Sequence, residues 1–384
     1  MNAGGSAFLI PPLAVPALGM ENIAMKPEGT MQPGSALSAK SRAQWIAFAP
    51  FVFQATVVMR DSGLLTALGD AGNRGAEVSE LAAATGISPY GIRVLLDFGC
   101  SIGLVTGNDR RYQLDKTGYF VLHDEMTRVN MDFTRDVCYA GLARLGDSIR
   151  DGKPRGLAAL GGWTTLYEGL TELPGSAGES WLRFDHYYSD RAFDAFLPIV
   201  FREPVREILD IGGNTGRWAL RCLAHDPQVR VTIMDLPRQL ELARCNIEQA
   251  GYASRFNVYP IDVLTDEREF YRGADVIWMS QFLDCFSESE ILGILQRTAV
   301  VMDADTVLYI VELFPDRQRY AAASFSLDAT SLYFSCIANG NSRMYHSQDL
   351  ISLIRQAGLV IEQEMDDIGE GHTILCCART PQSR

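Results

Sequence analysis

The chain has 384 residues, and compact domains usually hold about 100 to 200 residues, so its length predicts two domains. Apolar residues make up 47% of the chain and charged residues 21%, an ordinary globular balance with ample material for a core. The 47 acidic and 34 basic side chains leave a net charge of −13, which argues against a general nucleic-acid binder, whose phosphate contacts need clustered Lys and Arg.

Residues 1–40 are rich in Gly, Pro, Ala, Ser and Met without periodicity, and are expected to form a disordered tail. The apolar run Phe8 to Met20 contains Pro11, Pro12 and Pro16, and no Lys or Arg precedes it as a signal peptide requires. From Ser41 to about Gly63, Trp45, Phe48, Phe51, Val52 and Met59 recur at helical spacing. The uncharged stretch Ala43 to Met59, 17 residues with Pro50 inside it, falls short of the ~20 apolar residues of a membrane span. It reads as a helix buried against a partner subunit.

A helix over Glu77–Thr85 follows, then a break at Gly86. Ser88-Pro89 opens another helix through Ile102, with Ser88 as N-cap and Pro89 at the first helical position. A short hairpin turns at Asn108-Asp109 and returns through Tyr112-Gln113-Leu114. Helix, turn, helix and hairpin make a winged-helix outline. DNA recognition and subunit packing compete for it. Between Tyr90 and Gly103 the only basic residue is Arg93, offset by Asp97, whereas a recognition helix brings several Arg, Lys, Asn or Gln to the groove. Packing or dimerisation is therefore expected for a mainly helical domain over 41–185.

Residues 125–200 read as more helices, interrupted at Gly152-Lys153-Pro154 and Pro174-Gly175-Ser176. After Pro204 strands and helices alternate. Strands are expected at Glu207–Ile211, Val229–Asp235, Phe256–Val263, Ala274–Ser280, Thr306–Phe314, Val360–Glu364 and Thr373–Ala378. Helices are expected at Thr215–Ala224, Pro237–Ala250, Ser287–Val301 and His346–Ala357. Such alternation predicts an α/β domain over 186–384 built on a doubly wound, mainly parallel seven-stranded sheet. The last two strands have no helix between them, which predicts one antiparallel edge strand.

The most informative segment is Asp210-Ile211-Gly212-Gly213-Asn214-Thr215-Gly216, between the first strand and its helix. Glycines there permit a tight turn and close ligand approach. A dinucleotide fingerprint starting at Gly212 would need glycines where Asn214 and Arg217 stand, and a P-loop would need Gly-Lys-Ser/Thr, which is absent. The segment resembles motif I of class I S-adenosylmethionine-dependent methyltransferases. Asp235, at the end of the second strand, and Asp262, after the third, match the further acidic positions of that family. The resemblance implies a Rossmann-like fold with S-adenosyl-L-methionine as cofactor. Asp210 would orient its methionine moiety, Asp235 would accept from the ribose hydroxyls, and Asp262 would meet the adenine amine. Gly212, Gly213, Gly216, Leu236, Val263 and Ser280 complete the implied cofactor-binding set.

The Asp235-Leu236-Pro237 tripeptide and the N-terminal winged-helix outline together resemble the small-molecule O-methyltransferase family. Its members are usually dimers whose N-terminal helices intertwine, so a homodimer through those helices is implied, with a small-molecule acceptor and neither nucleic acid nor membrane as partner. The family's general base is a His where this chain has Asp284, in Leu283-Asp284-Cys285-Phe286. A carboxylate of ordinary pKa, ~3.9, is a poor base for a phenol near ~10, although burial can raise it. Glu312 matches the carboxylate that normally supports the missing His. A replacement base is sought in Phe184-Asp185-His186-Tyr187-Tyr188, where His186 or Tyr187 could meet a phenol. His186, Asp284 and Glu312 are the expected catalytic residues, and Tyr187, Tyr188 and Phe282 the acceptor contacts. No metal is expected, since a His186/His346 site has no supporting spacing.

The implied reaction is methyl transfer to the oxygen or carbon of a small aromatic or phenolic acceptor in secondary metabolism. Two alternatives are a non-methylating member that binds the same cofactor and a winged-helix regulator with a vestigial cofactor domain. The eight cysteines show no CxxC pair and no zinc spacing, which suits a reduced, cytosolic protein.

Overall fold

The computed structural model describes residues 35–380 except Asp109, so most of the expected tail and half of the expected hairpin turn lie outside the described residues. The chain divides into two compact units, one ending at Arg128 and the other starting at Val129. The boundary expected near residue 185 falls inside the second unit.

The first unit begins with α1 (Ala36–Ala47), capped by the Ser35 side chain, which accepts from the Ser38 amide. The uncharged stretch is two helices, because Pro50 lacks a donor and fits only a first turn. α2 (Ala49–Asp61) therefore starts anew after Phe48. α3 (Leu64–Ala71), α4 (Val78–Thr85) and α5 (Pro89–Ser101) follow. Glu77 and Glu80 form a capping box on α4. Ser88 caps α5 as expected, its hydroxyl accepting from the Gly91 amide at 3.1 Å. β1 (Val105–Gly107) and β2 (Tyr112–Leu114) pair antiparallel, and α6 (Lys116–His123) follows. Leu64, Leu68, Leu81, Ile92 and Leu96 fill the core, while Ile46, Phe48 and Phe51 of the α1–α2 corner stay exposed.

α7 (Glu125–Phe133) carries the division point and runs on into a π-helical turn over Thr134–Cys138. α8 (Leu145–Asp151), α9 (Leu166–Gly169), α10 (Ala177–Asp190) and α11 (Phe193–Val200) precede the sheet. Its elements are β3 (Glu207–Ile211), α12 (Arg217–His225), β4 (Arg230–Asp235), α13 (Pro237–Gln249), β5 (Phe256–Pro260), β6 (Val276–Ser280), α14 (Glu288–Val301) and β7 (Val307–Glu312). α15 (Ala321–Tyr333), α16 (Ser347–Gln356), β8 (Leu359–Ile368) and β9 (His372–Arg379) complete the unit.

The strand order is β5-β4-β3-β6-β7-β9-β8, parallel from β5 to β7. β9 inserts antiparallel to both β7 and β8, giving the antiparallel edge that the sequence predicts. Successive strand residues serve opposite faces. Leu209, Ile211, Ile277 and Met279 pack toward α14 and α16, whereas Ile208, Val231, Ile233 and Trp278 pack toward α11, α12 and α13. On the second face the Trp218 and Trp278 rings stack at 4.4 Å.

A third core joins α7, α10 and the π-helical turn Phe334–Ala338 that extends α15. Phe133, Trp181, Tyr333 and Ile337 meet there, which ties residues 129–190 into the second unit. α15 was not among the expected helices. Its sequence, AAASFSLDATSLY, has no apolar stripe, and Tyr333 is its sole buried residue. Among the described residues no helix is long and apolar enough to cross a membrane.

Candidate active site

β3 pairs with β4 on one side and β6 on the other, so the strand order reverses at its C-terminal end, where open α/β sheets bind ligands. The glycine turn lies at this point. Gly212 and Gly216 take φ of +78° and +79°, and Asn214 takes +48°, a conformation that Asn tolerates better than other side chains. A Cβ on Gly212 would collide with the Phe282 ring, and one on Gly213 would lie 2.6 Å from Asp210 Oδ2. Both glycines keep the turn against its neighbours and leave space above it.

That space is a cavity of about 440 Å³. Asp210, Gly212, Gly213, Asp235, Leu236, Asp262, Val263 and Ser280 line it, whereas Gly216 shapes the turn without reaching it. Asp235 accepts from the Leu236 amide at 2.6 Å and the Asn214 amide at 2.9 Å, which locks the second strand end to the glycine turn. Burial still pushes its pKa up to about 6. Asp210 is buried with Oδ2 unpartnered, and burial together with Asp235 pushes it up to about 8. Ser280 Oγ is likewise buried and unpartnered. Asp262 accepts from the Leu264 amide and the Thr265 hydroxyl, so it is a turn residue as well as a cavity wall. The unpartnered Asp210 Oδ2 and Ser280 Oγ, with the Asp235 and Asp262 carboxylates beside them, fit a ligand that brings an ammonium, hydroxyls and an amine, the donors of S-adenosyl-L-methionine.

A second cavity of about 380 Å³ adjoins the first. Tyr167, Trp181, Asp185, Gln281 and Cys285 line both. Asp284 lies on the second cavity, and burial pushes its pKa up to about 6. Glu312 stands behind, Oε1 accepting from the Leu283 amide at 2.9 Å and the Phe282 amide at 3.2 Å. It therefore holds the loop that carries Asp284, and burial beside Asp284 raises its own pKa. Asp185 accepts from the Asn214 side chain at 3.2 Å. Burial, with Asp284 and Asp190 nearby, pushes its pKa up to about 7.

The other expected residues scatter. His186 lines the first cavity, its Nε2 3.4 Å from Thr215 Oγ1, and burial lowers its pKa. Phe282 also lines the first cavity. Tyr188 lines the second and donates to Asn130 Oδ1 at 3.0 Å. Tyr187 lines neither, its ring lying under the Arg191 guanidinium. His346 is the backbone N-cap of α16.

Asp185 and Gln281 were not anticipated. Asp185 adjoins His186 in the same segment, and its helical offset from Tyr188 was the available signal. Gln281 follows β6 at φ +47° with its side chain 3.4 Å from the buried His372, a geometry that no sequence pattern announces.

A parallel sheet that reverses beside a glycine turn, with carboxylates at successive strand ends, defines an α/β enzyme domain for an adenosine-bearing cofactor. Comparison with known proteins sharpens this. Residues 40–112 match the Dimerisation2-like domain and residues 191–360 the O-methyltransferase domain. The chain belongs to the class I S-adenosylmethionine-dependent methyltransferases, in the small-molecule O-methyltransferase family, and S-adenosyl-L-methionine is its cofactor. It is 23% identical over 334 residues to the L-tyrosine C(3)-methyltransferase of Streptomyces lavendulae, covering 85% of this chain and 89% of that protein. It is 25% identical over 300 residues to aclacinomycin 10-hydroxylase RdmB of Streptomyces purpurascens, covering 74% and 75% of the two chains. The apo structure of the S-adenosylmethionine-dependent methyltransferase SibL superposes with a TM-score of 0.69 at 23% identity, covering 89% of this chain and 99% of that one. At that identity the likeness speaks for the fold.

Proposed function

We infer that the protein transfers a methyl group from S-adenosyl-L-methionine to the oxygen or carbon of a small aromatic or phenolic acceptor in secondary metabolism. The observation that carries this reading is the meeting of the two cavities at Asp185, Gln281 and Cys285. When bound, the cofactor supplies a methyl group already activated by its sulfonium. The glycine turn, Asp210, Asp235 and Asp262 hold it, and aromatic walls orient the acceptor, so proximity and orientation do most of the work. Asp284 takes the acceptor proton, a task for which its raised pKa suits it. Glu312 positions the Asp284 loop, Asp185 bridges the two cavities, and His186 serves the cofactor side.

The exposed Ile46, Phe48 and Phe51 support a homodimer through the N-terminal helices. Arg93 as the sole basic residue of α5 supports a packing role over DNA binding. Eight free cysteines suit a reducing, cytosolic compartment.

The test is mass spectrometry of phenolic acceptors incubated with the enzyme and methyl-labelled cofactor, where each product should gain one labelled methyl. The similarity to a 10-hydroxylase, together with Asp284 in place of His, favours one second reading, a non-methylating enzyme with the same cofactor. A product without the label would select it.

A further inference from the structure

We propose that the second cavity takes an aromatic acceptor carrying a protonated nitrogen and turns away acceptors that carry a carboxylate. This rests on the reading of that cavity as the acceptor site. Its volume of about 380 Å³ suits a molecule of one or two rings. Phe133 stacks on Phe184 at 4.0 Å and Tyr188 meets Phe184 edge-on at 5.3 Å, so π faces and ring edges form much of the wall. Such faces attract cations.

Among the described residues, the charged side chains of the wall are Asp185 and Asp284, and no Lys, Arg or His lines the cavity. Asp185 accepts from the neutral Asn214 amide and Asp284 from the Cys285 thiol. The charged groups on surrounding elements do not supply the missing cation. Arg217 pairs with Asp190 at 2.8 Å and lines the first cavity. On α7 and its π-helical extension, Arg135 pairs with Asp136 at 2.6 Å and Asp132 at 3.6 Å, and Arg183 of α10 reaches Asp132 at 3.7 Å. Glu312 at the end of β7 adds a third carboxyl, and Asp328 on α15 is acidic too.

Asp284 has no cationic partner and Asp185 feels only the field of Arg217, which does not offset its burial, so both hold their protons more tightly than an ordinary carboxyl. An ammonium on the ligand supplies that partner, whereas a ligand carboxylate adds a like charge to an already acidic site. Tyr167 lines the same cavity, and its buried hydroxyl, beside the Cys285 thiol, offers one more oxygen to an N–H donor.

The test is calorimetric titration of the full-length protein, saturated with S-adenosylhomocysteine, with three probes of one shape: tyramine, 4-ethylphenol and 4-hydroxyphenylacetate. Tyramine should bind at least about tenfold tighter than 4-hydroxyphenylacetate, the equivalent of one pKa unit of interaction, with 4-ethylphenol between them. Asp185→Asn and Asp284→Asn should each narrow that gap. The wild-type series decides the matter even where a variant fails to fold. A carboxylate probe that binds as tightly as tyramine, or tyramine that fails to bind, overturns the proposal. Transfer of labelled methyl, measured on the same probes, separates the two readings. The predicted charge order without any transfer keeps this inference and overturns methyl transfer, whereas transfer with the charge order reversed does the opposite.

Discussion

The two cavities of the second unit are assembled by opposite means. The cofactor cavity takes its floor, with Asp210, Asp235, Asp262 and Ser280, from the C-terminal ends of β3, β4 and β6 and the loop after β5, each a few residues of contiguous sequence fixed by the sheet register. Helix residues such as Glu168 and His186 reach it from the side. The acceptor cavity draws its walls from α7, α10 and α15, and both π-helical turns contribute to it. π-turns are rare and gather at functional sites. The floor of the first cavity is thus set by backbone register, and the second is set by side chains that are free to vary. The contrast suits a family that keeps one methyl donor while changing its acceptors.

The sharpest way to break this comparison is Gly212→Ala, which forces an L side chain to φ +78° and into the Phe282 ring. The backbone cost of about 1–2 kcal/mol and overpacking of about 1–3 kcal/mol predict a loss of cofactor affinity of roughly 100-fold. Titration with S-adenosylhomocysteine measures it, and unchanged affinity would break the backbone-defined view. Asp284→Asn attacks the other cavity. We expect kcat to fall about 100-fold, the lower range for loss of a general base, with cofactor affinity kept. A fall in cofactor affinity of similar size would mean that the two cavities are not separable.

The pH profile sharpens the same assignment. Asp284, at about 6, must lose its proton to accept one, so kcat/KM should rise with pH and level off above about 7. In Asp284→Asn the step near 6 should vanish.

Stability probes the cofactor side. Asp210 sits at about 8 in the fold against an ordinary value of 3.8, so between those pH values the folded state binds the extra proton. Its contribution therefore falls as pH rises through that window. Asp210→Asn should raise the Tm of the cofactor-free protein at pH 8 by a few degrees, at about 2–4 °C per kcal/mol, while weakening cofactor binding. A thermal melt at pH 5 and pH 8 checks the sign. The smallest effect is expected from His186→Ala, about threefold or less in kcat, the scale of one weak hydrogen bond of ~0.5 kcal/mol. A loss of 100-fold would return the base to the cofactor side.

Much of this was legible in the sequence. The glycine turn, with Asp210, Asp235 and Asp262, could be read because strand periodicity fixes where each strand ends, and the functional side chain is the residue at that end. Ser88 and Pro89 were legible as a local capping pattern, and the Asp284 departure was legible only against the family resemblance. Of the second cavity's wall only Tyr188 and Asp284 were. α15 lacks an apolar stripe because its exposed residues are small and polar, and its course is set by packing at Tyr333 and the π-turn that follows.

By itself, then, the sequence determined the order of strands and helices from β3 to β7, the glycine turn and the acidity of the chain, all of which depend on short-range period, spacing and composition. Tertiary structure alone decided that Asp185 rather than Tyr187 reaches the junction, that Glu312 holds the Asp284 loop, and that among the described residues no Lys, Arg or His lines the second cavity. The reason is physical. Those facts depend on which side chains meet across 29 to 152 residues of chain, as Asn214 meets Asp185 and Tyr333 meets Trp181, and burial at such contacts sets both charge state and shape.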